Sequence, residues 1–297
     1  MKIKKTELKK RLERAQHILK SCKLCPRLCR IDRTKGEVGF CKAGRMAKVY
    51  SYRQYPGEEP PISAIRGSGV IFFSHCTMRC VYCQNSGFSQ DGAGYTVDAE
   101  KLSKIMLSLK AGGCHNINLV TPTHYLPQIL EALIIAKDGL QNTPIAYNTS
   151  GYESDDLLEL LDGIVDIFIA DMRYSENDLS HAYSMTDNYV EINRRAISRM
   201  HRQVGDLVLD GEGAAKSGLI IRHLVLPGLL NNTEDILKYI STKISKDTHI
   251  SLMSQYMPLY KAKDFPELNR PITSEEYKAA CRLMDDLGLK HGWFQNL

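Results

Sequence analysis

Short apolar, β-branched runs recur along most of the chain, each followed by a stretch whose apolar positions repeat with helical spacing. The runs lie at 70–73, 116–120, 144–149, 164–171, 219–226 and 249–256. The helical pattern is clearest over 98–110, where Leu102, Ile105, Met106 and Leu109 recur at i, i+3, i+4 and i+7. Another helix is expected after Thr273, because Thr273-Ser274-Glu275-Glu276 fits a capping box ahead of 277–287. Gly288 then suits the left-handed residue that stops a helix. Parallel strands need crossovers of this length, so six such units predict a parallel sheet with helices outside. Six units fall short of the eight of a closed barrel. The expected fold class is therefore α/β, an open (β/α)6 partial TIM barrel with a small Cys-rich N-terminal extension; a doubly wound open sheet is the alternative. Pro56, Gly57, Pro60, Pro61, Gly67 and Gly69 mark the passage between the parts, giving an extension at 1–65 and a barrel at 66–297.

Composition changes this picture in one respect. Hydrophobic content of 43% and charged content of 25% describe a globular protein able to bury a core. The net charge of +5 is unevenly spread. Residues 1–50 carry 16 Lys/Arg against 4 Asp/Glu, a net +12, and the remaining 247 carry 23 against 30, a net −7. A basic segment can meet nucleic acid or an acidic protein face. Leu8, Leu12, Ile18 and Leu19 instead give it the stripe of an amphipathic surface helix, so neither nucleic acid nor a membrane is an expected partner. No run approaches the ~18–20 apolar residues of a membrane span, and the first twenty residues lack the apolar core of a secretory signal. Nine cysteines, seven of them in two tight groups, suit a reducing, cytoplasmic setting.

Two of those groups carry candidate chemistry. Cys76, Cys80 and Cys83 form a C-x3-C-x2-C run just after the first apolar strand. Four thiolates hold a [4Fe–4S] cube, so three would leave one iron open to bind something else. A zinc knuckle completed by His75 is the competing reading, although a ligand adjacent to Cys76 has poor geometry. The second group, Cys22, Cys25, Cys29 and Cys41, is a complete four-ligand set for either zinc or an auxiliary iron–sulfur cluster. Isolated Cys114 and Cys281 read as core residues.

The three-cysteine run resembles the signature of the radical S-adenosylmethionine (SAM) superfamily. The resemblance implies that SAM chelates the open iron through its amine and carboxylate, with Tyr82 against the adenine. Many members carry Gly-Gly-Glu after the second strand; this chain has Thr121-Pro122-Thr123-His124 there, with hydroxyls and an imidazole but no carboxylate. Asn148-Thr149-Ser150-Gly151 is similar to a Thr-Asn-Gly stretch of activating enzymes, which implies cofactor contacts for Asn148 and Ser150. Asp171-Met172-Arg173 resembles the Asp-Leu-Lys of pyruvate formate-lyase activating enzymes, and Arg222 matches an arginine that lies near SAM in them. The stretch from Cys22 to Cys41 resembles a functionally uncharacterised, activating-enzyme-like subgroup.

The resemblance implies a reductive cleavage of SAM to a 5′-deoxyadenosyl radical that abstracts hydrogen. Asp171, Arg173 and His124 are the expected catalytic residues; Tyr82, Thr121, Thr123, Asn148, Ser150 and Arg222 are expected to bind the cofactor. The implied partners are an electron donor such as flavodoxin or ferredoxin and a glycyl radical enzyme activated at a glycine. An enzyme acting on a small molecule, and an iron–sulfur or zinc binding module without turnover, are the alternatives.

Overall fold

The computed structural model describes residues 3–295; the outer ends of the two expected segments, 1–2 and 296–297, lie outside them. The strands are β1 (Ala47–Tyr55), β2 (Ser68–Phe73), β3 (Tyr95–Val97), β4 (Ile117–Val120), β5 (Ile145–Thr149), β6 (Ile167–Asp171), β7 (Val208–Leu209), β8 (Ala215–Leu224), β9 (His249–Met253) and β10 (Gly292–Phe294). The helices are α1 (Lys5–Ile18), α2 (Pro60–Ser63), α3 (Ser86–Ser89), α4 (Ala99–Ala111), α5 (Leu126–Ala136), α6 (Asp155–Leu161), α7 (Asn177–Ser184), α8 (Tyr189–Val204), α9 (Leu230–Tyr239) and α10 (Ser274–Asp286).

The six expected runs fall on β2, β4, β5, β6, β8 and β9, which stand side by side in chain order and are parallel throughout. A doubly wound sheet reverses its strand order part-way. This one does not, so the fold is the open α/β partial barrel. Two antiparallel strands extend one edge, β1 on β2 and β3 on β1, while β10 continues the parallel order beyond β9. The period-2 signal is too short to see in β3, β7 and β10, and β1 lies within the extension rather than among the repeating units. Both expected helix starts are present: Asp98 Oδ1 accepts from Lys101 N at 2.7 Å, and Thr273 and Glu276 form the reciprocal capping box. The cap satisfies backbone donors that the first helical turn otherwise leaves open.

Strand alternation sorts the core into two parts. Outward-facing Leu119, Tyr147, Phe168, Ile221 and Leu252 pack under the helices in the main cluster. Inside the barrel, Ile62 of α2 packs against Ala146, Ile167, Ile169, Ala215 and Ile220. Asn116 fixes this plug by donating Nδ2 to the Ile62 carbonyl at 2.8 Å and accepting from Ser68 Oγ at 2.7 Å. Helix α1 buries Leu8, Ala15 and Ile18 and lies against α5. Its ion pair Arg14–Glu159, 2.7 Å and half exposed, adds at most about 1 kcal/mol, so the apolar stripe docks it. Among the described residues no helix is long and apolar enough to cross a membrane.

Candidate functional site

Residues paired across a sheet point to the same face. Ala146 lies in the barrel interior, so its partner Asn118 does too, and two residues further along β5 so does Asn148. The same rule turns Asp171 inward from Ile167 and Ile169, Arg222 inward beside Asp171, and Ser251 inward beside Arg222. Five strands thus send polar side chains into one space, each within two residues of its strand's C-terminal end. Asn118 is fully buried, and neither its Oδ1 nor its Nδ2 has a partner among the described residues. A buried amide left so costs about 1–3 kcal/mol, and something polar arriving in that space would recover it.

Asp171 and Arg173 form a close ion pair at the mouth. Arg173 also points Nη1 at Cys80 Sγ, 3.5 Å away, while its buried Nε has no partner. Burial opposes the charge on Arg173, but Asp171, Cys80 and Tyr82 outweigh it and hold the guanidinium charged. The ends of β5 and β6 are fastened from behind: Tyr189 Oη donates to the Ser150 and Asp171 carbonyls at 3.0 and 3.2 Å, and Asn193 Nδ2 donates to the Asp171 carbonyl at 2.8 Å. Gly151, at φ +71°, makes room for this. A Cβ there would stand 2.1 Å from Asn193 Nδ2.

Arg222 is clamped by two neighbours that the sequence reading passed over. Its Nε and Nη2 reach Glu59 Oε1 and Oε2, each at 2.6 Å, and Nη2 also meets Glu58. Burial works against the Glu59 carboxylate, yet Arg222 overcomes it and holds its pKa below the usual range. Two adjacent acidic residues before Pro60-Pro61 were the available signal, but the prolines marked the stretch as a passage between segments.

Of the other expected residues, Tyr82 lies beside Arg173 near the mouth, while Thr123 and His124 are held elsewhere. Thr123 donates Oγ1 to Glu153 Oε1 at 2.7 Å, behind the strands. His124 is buried; its Nε2 lies 2.8 Å from the Ser74 carbonyl, and burial lowers its pKa to about 3, which keeps it neutral. Thr121 sits at φ +57° with its N–H donated to the Asn148 carbonyl at 2.9 Å, and Ser150 takes part through its own carbonyl. Tyr82 Oη lies 2.6 Å from Tyr174 Oη, which lies 2.6 Å from Ser184 Oγ; the Tyr82 ring meets Tyr256 edge-on at 5.8 Å.

The expected cofactor set is corrected by the arrangement of the thiols. Among the described residues no three or more His, Cys, Asp or Glu side chains form a group that could hold a metal ion. The [4Fe–4S] cluster expected on Cys76, Cys80 and Cys83 therefore lacks an assembled ligand set, and with it goes the open iron on which SAM was to sit. The thiols are engaged elsewhere. Cys76 Sγ accepts from Met78 N at 3.4 Å, Cys80 Sγ from Ser184 Oγ at 3.0 Å, and Cys83 Sγ lies 3.1 Å from Ser89 Oγ. Burial, with Cys80 and Cys83 nearby, pushes the Cys76 thiol up to about 12. The zinc or auxiliary cluster expected on Cys22, Cys25, Cys29 and Cys41 meets the same finding. These four line one cavity with Arg33 and His124, but its volume is about 10 Å³, room for roughly one water-sized sphere.

Comparison with known proteins adds four observations. The family model described as the radical SAM superfamily matches residues 70–203. An uncharacterised protein of Methanocaldococcus jannaschii is 32% identical over 299 residues, spanning 97% of this chain and 81% of that one. Streptococcus suis SuiB bound to S-adenosylmethionine superposes with a TM-score of 0.52 at 9% identity, over 74% of this chain and 48% of SuiB. SuiB bound to its precursor peptide SuiA gives 0.50 at 10% identity, over 71% and 43%. At such identity the likeness to SuiB is one of fold, and the chain spans less than half of the SuiB chain.

Proposed function

The chain belongs to the radical SAM superfamily, and from that premise we propose that it is an enzyme that cleaves S-adenosylmethionine and abstracts hydrogen from a glycine in a peptide segment of a partner protein. The observation that carries this reading is the inward polar layer of Asn118, Asn148, Asp171, Arg222 and Ser251, with the Asn118 amide unpartnered at its base. SuiB, of the same fold, has been seen with both SAM and a peptide, which supports a nucleoside and a peptide as the two ligands of such an interior.

In this reading SAM is a substrate. An electron from a donor such as flavodoxin or ferredoxin breaks its sulfonium–C5′ bond to give methionine and a 5′-deoxyadenosyl radical, which takes hydrogen from the glycine Cα. The amides of Asn118 and Asn148 hydrogen-bond the polar parts of SAM. Asp171 and Arg173 orient the ligand at the mouth, and Arg222 fixes the wall through Glu58 and Glu59. Burial of these groups strengthens each interaction by excluding water.

Anaerobic incubation with SAM, reduced flavodoxin and a peptide dideuterated at glycine should yield 5′-deoxyadenosine that carries deuterium. Absence of 5′-deoxyadenosine would overturn the enzymatic reading. Deuterium arriving only from labelled small metabolites would replace the peptide with a small-molecule substrate. Iron and sulfide assays on the same preparation check the correction to the metal sets. Stoichiometric iron, lost in Cys76→Ala, Cys80→Ala and Cys83→Ala, would reverse it.

A further inference from the structure

A cleft of about 350 Å³ opens on the inner face of β1, lined by Tyr50, Ser51, Arg53, Phe72, Gln84 and Phe88 among others. That volume is at the lower end for small-ligand sites. Ser51 pairs with Phe72 and Arg53 with Val70, so their side chains share the barrel's inner side. The row continues from Phe72 through Val120 to Asn148, which places the cleft beside the candidate site. Gln84 ties the two together by donating Nε2 to the Gln255 carbonyl, beyond β9, at 2.7 Å.

The cleft has a constructed aromatic wall. Between Val49 and Ser51 the register of β1 on β2 shifts, so Tyr50 is a bulged residue. A bulge re-aims a side chain and is frequent beside functional sites. Here it stacks Tyr50 on Phe88, with centroids 4.6 Å apart and planes at 13°, and Phe72 meets Phe88 edge-on at 5.8 Å. Arg53 lies over Phe72 and Tyr55 at 5.4 and 5.3 Å. Its guanidinium makes no hydrogen bond or ion pair among the described residues, and the buried Ser51 Oγ beside it has no partner either. A fork of unused N–H donors with a spare hydroxyl, above aromatic rings, matches a carboxylate attached to an apolar neighbour.

We propose that this cleft binds an Asp or Glu side chain of the substrate peptide, next to an aromatic residue that lies on Tyr50 and Phe88. The acidic side chain takes Arg53, and the peptide then runs along the Phe72–Asn148 row to the mouth. This deepens the proposed function and rests on its peptide reading.

The test measures binding without SAM, so it is independent of turnover. The probe is acetyl-Gly-(4-fluoro-Phe)-Asp-Gly-amide, titrated by ¹⁹F NMR against its Asn counterpart. The wild type should favour the Asp peptide by roughly tenfold, the scale of one charge-assisted hydrogen bond, and Arg53→Gln should abolish the preference without changing the melting temperature. Tyr50→Ala should weaken both peptides equally and leave their ratio intact. Equal binding of the two peptides, no saturable binding of either, or a preference that survives in Arg53→Gln would each overturn the proposal. So would acetyl-Gly-(4-fluoro-Phe) with a free C-terminus outcompeting the Asp peptide, because the carboxylate read would then be terminal. If 5′-deoxyadenosine forms but the Asp preference is missing, the cleft assignment alone fails. If the preference holds without 5′-deoxyadenosine, the catalytic reading alone fails.

Discussion

Arg222 and His223 are neighbours on β8 and live in different surroundings. Arg222 turns into the barrel, where Glu58 and Glu59 bind it beside Asp171 and Ser251. His223 turns outward, where the Met172 carbonyl lies 2.7 Å from Nδ1 and Thr233 Oγ1 lies 2.9 Å from Nε2. Burial lowers the His223 pKa to about 4, so it is neutral scaffolding with both ring nitrogens satisfied. The same contrast holds across the sheet. Behind the strands Thr123 and Thr149 both donate to Glu153 Oε1 and leave Oε2 without a partner among the described residues, whereas inside the barrel neither atom of the Asn118 amide has one. The lesson is that strand parity decides whether a polar residue at a strand end faces the barrel interior or the helices behind the sheet.

The most forceful way to break the contrast is Arg222→Met. It leaves the Glu58 and Glu59 carboxylates, each with 7% of its side chain exposed, without a counter-charge. Removing one partner of a buried pair costs about 3–5 kcal/mol. Denaturant unfolding should show that loss, and a loss below about 1 kcal/mol would mean that water already reaches the interior.

The outer region is sharpened by pH. Burial raises Glu153 from 4.5 to about 7, against the hydrogen bonds from Thr149 and Thr123 that favour its charged form. A carboxyl with a raised folded pKa binds more protons folded than unfolded, so stability falls as pH rises between those values. Relative to Glu153→Gln, the wild type should therefore lose stability from about pH 4.5 to 7, by roughly 3 kcal/mol in all, and hold that difference above pH 7. Unfolding measured at pH 4.5 and pH 8 checks it; a difference that does not change with pH would place Glu153 in contact with water.

Much of the inner region was legible in the sequence because it follows from period 2. Six apolar runs gave six adjacent parallel strands, and the family resemblance had pointed to Asn148, Asp171 and Arg222, which strand parity turns inward. What escaped depends on contacts remote in sequence. Glu58 and Glu59 meet Arg222 across more than 160 residues, and nothing local signals it. Thr123 and His124 follow β4 in sequence, yet the chain turns there at Thr121, φ +57°, and carries them behind the sheet. The thiols show the other limit: spacing supplied enough candidate ligands, yet among the described residues no group of three or more that could hold a metal ion forms.

Gly151 joins the two regions, with the mouth on one side and Asn193 on the other. Gly151→Ala would force a Cβ against Asn193 Nδ2 and to 2.6 Å from the Asp171 carbonyl, at a φ of +71°. Strain of this kind costs about 1–3 kcal/mol. Because the displaced group carries Asp171, the variant should also lose SAM affinity, measured by equilibrium dialysis. A stability loss with unchanged affinity would detach Asp171 from ligand binding.

The smallest effect expected is the most discriminating, because it has opposite signs on stability and binding. Asn118→Leu replaces an unpartnered buried amide with an apolar side chain of similar size, next to Val70 and Ala146 in the sheet. Removing that unmet polarity should stabilise the chain by about 1 kcal/mol, while taking away a group that would hydrogen-bond a ligand should weaken SAM binding by roughly tenfold. Residues kept at a cost to stability are the mark of a functional site. A higher melting temperature with weaker SAM binding would sharpen the inner-outer contrast to a single side chain. A lower melting temperature would break it, since Asn118 would then be satisfied by an internal water and belong, like His223, to the scaffold.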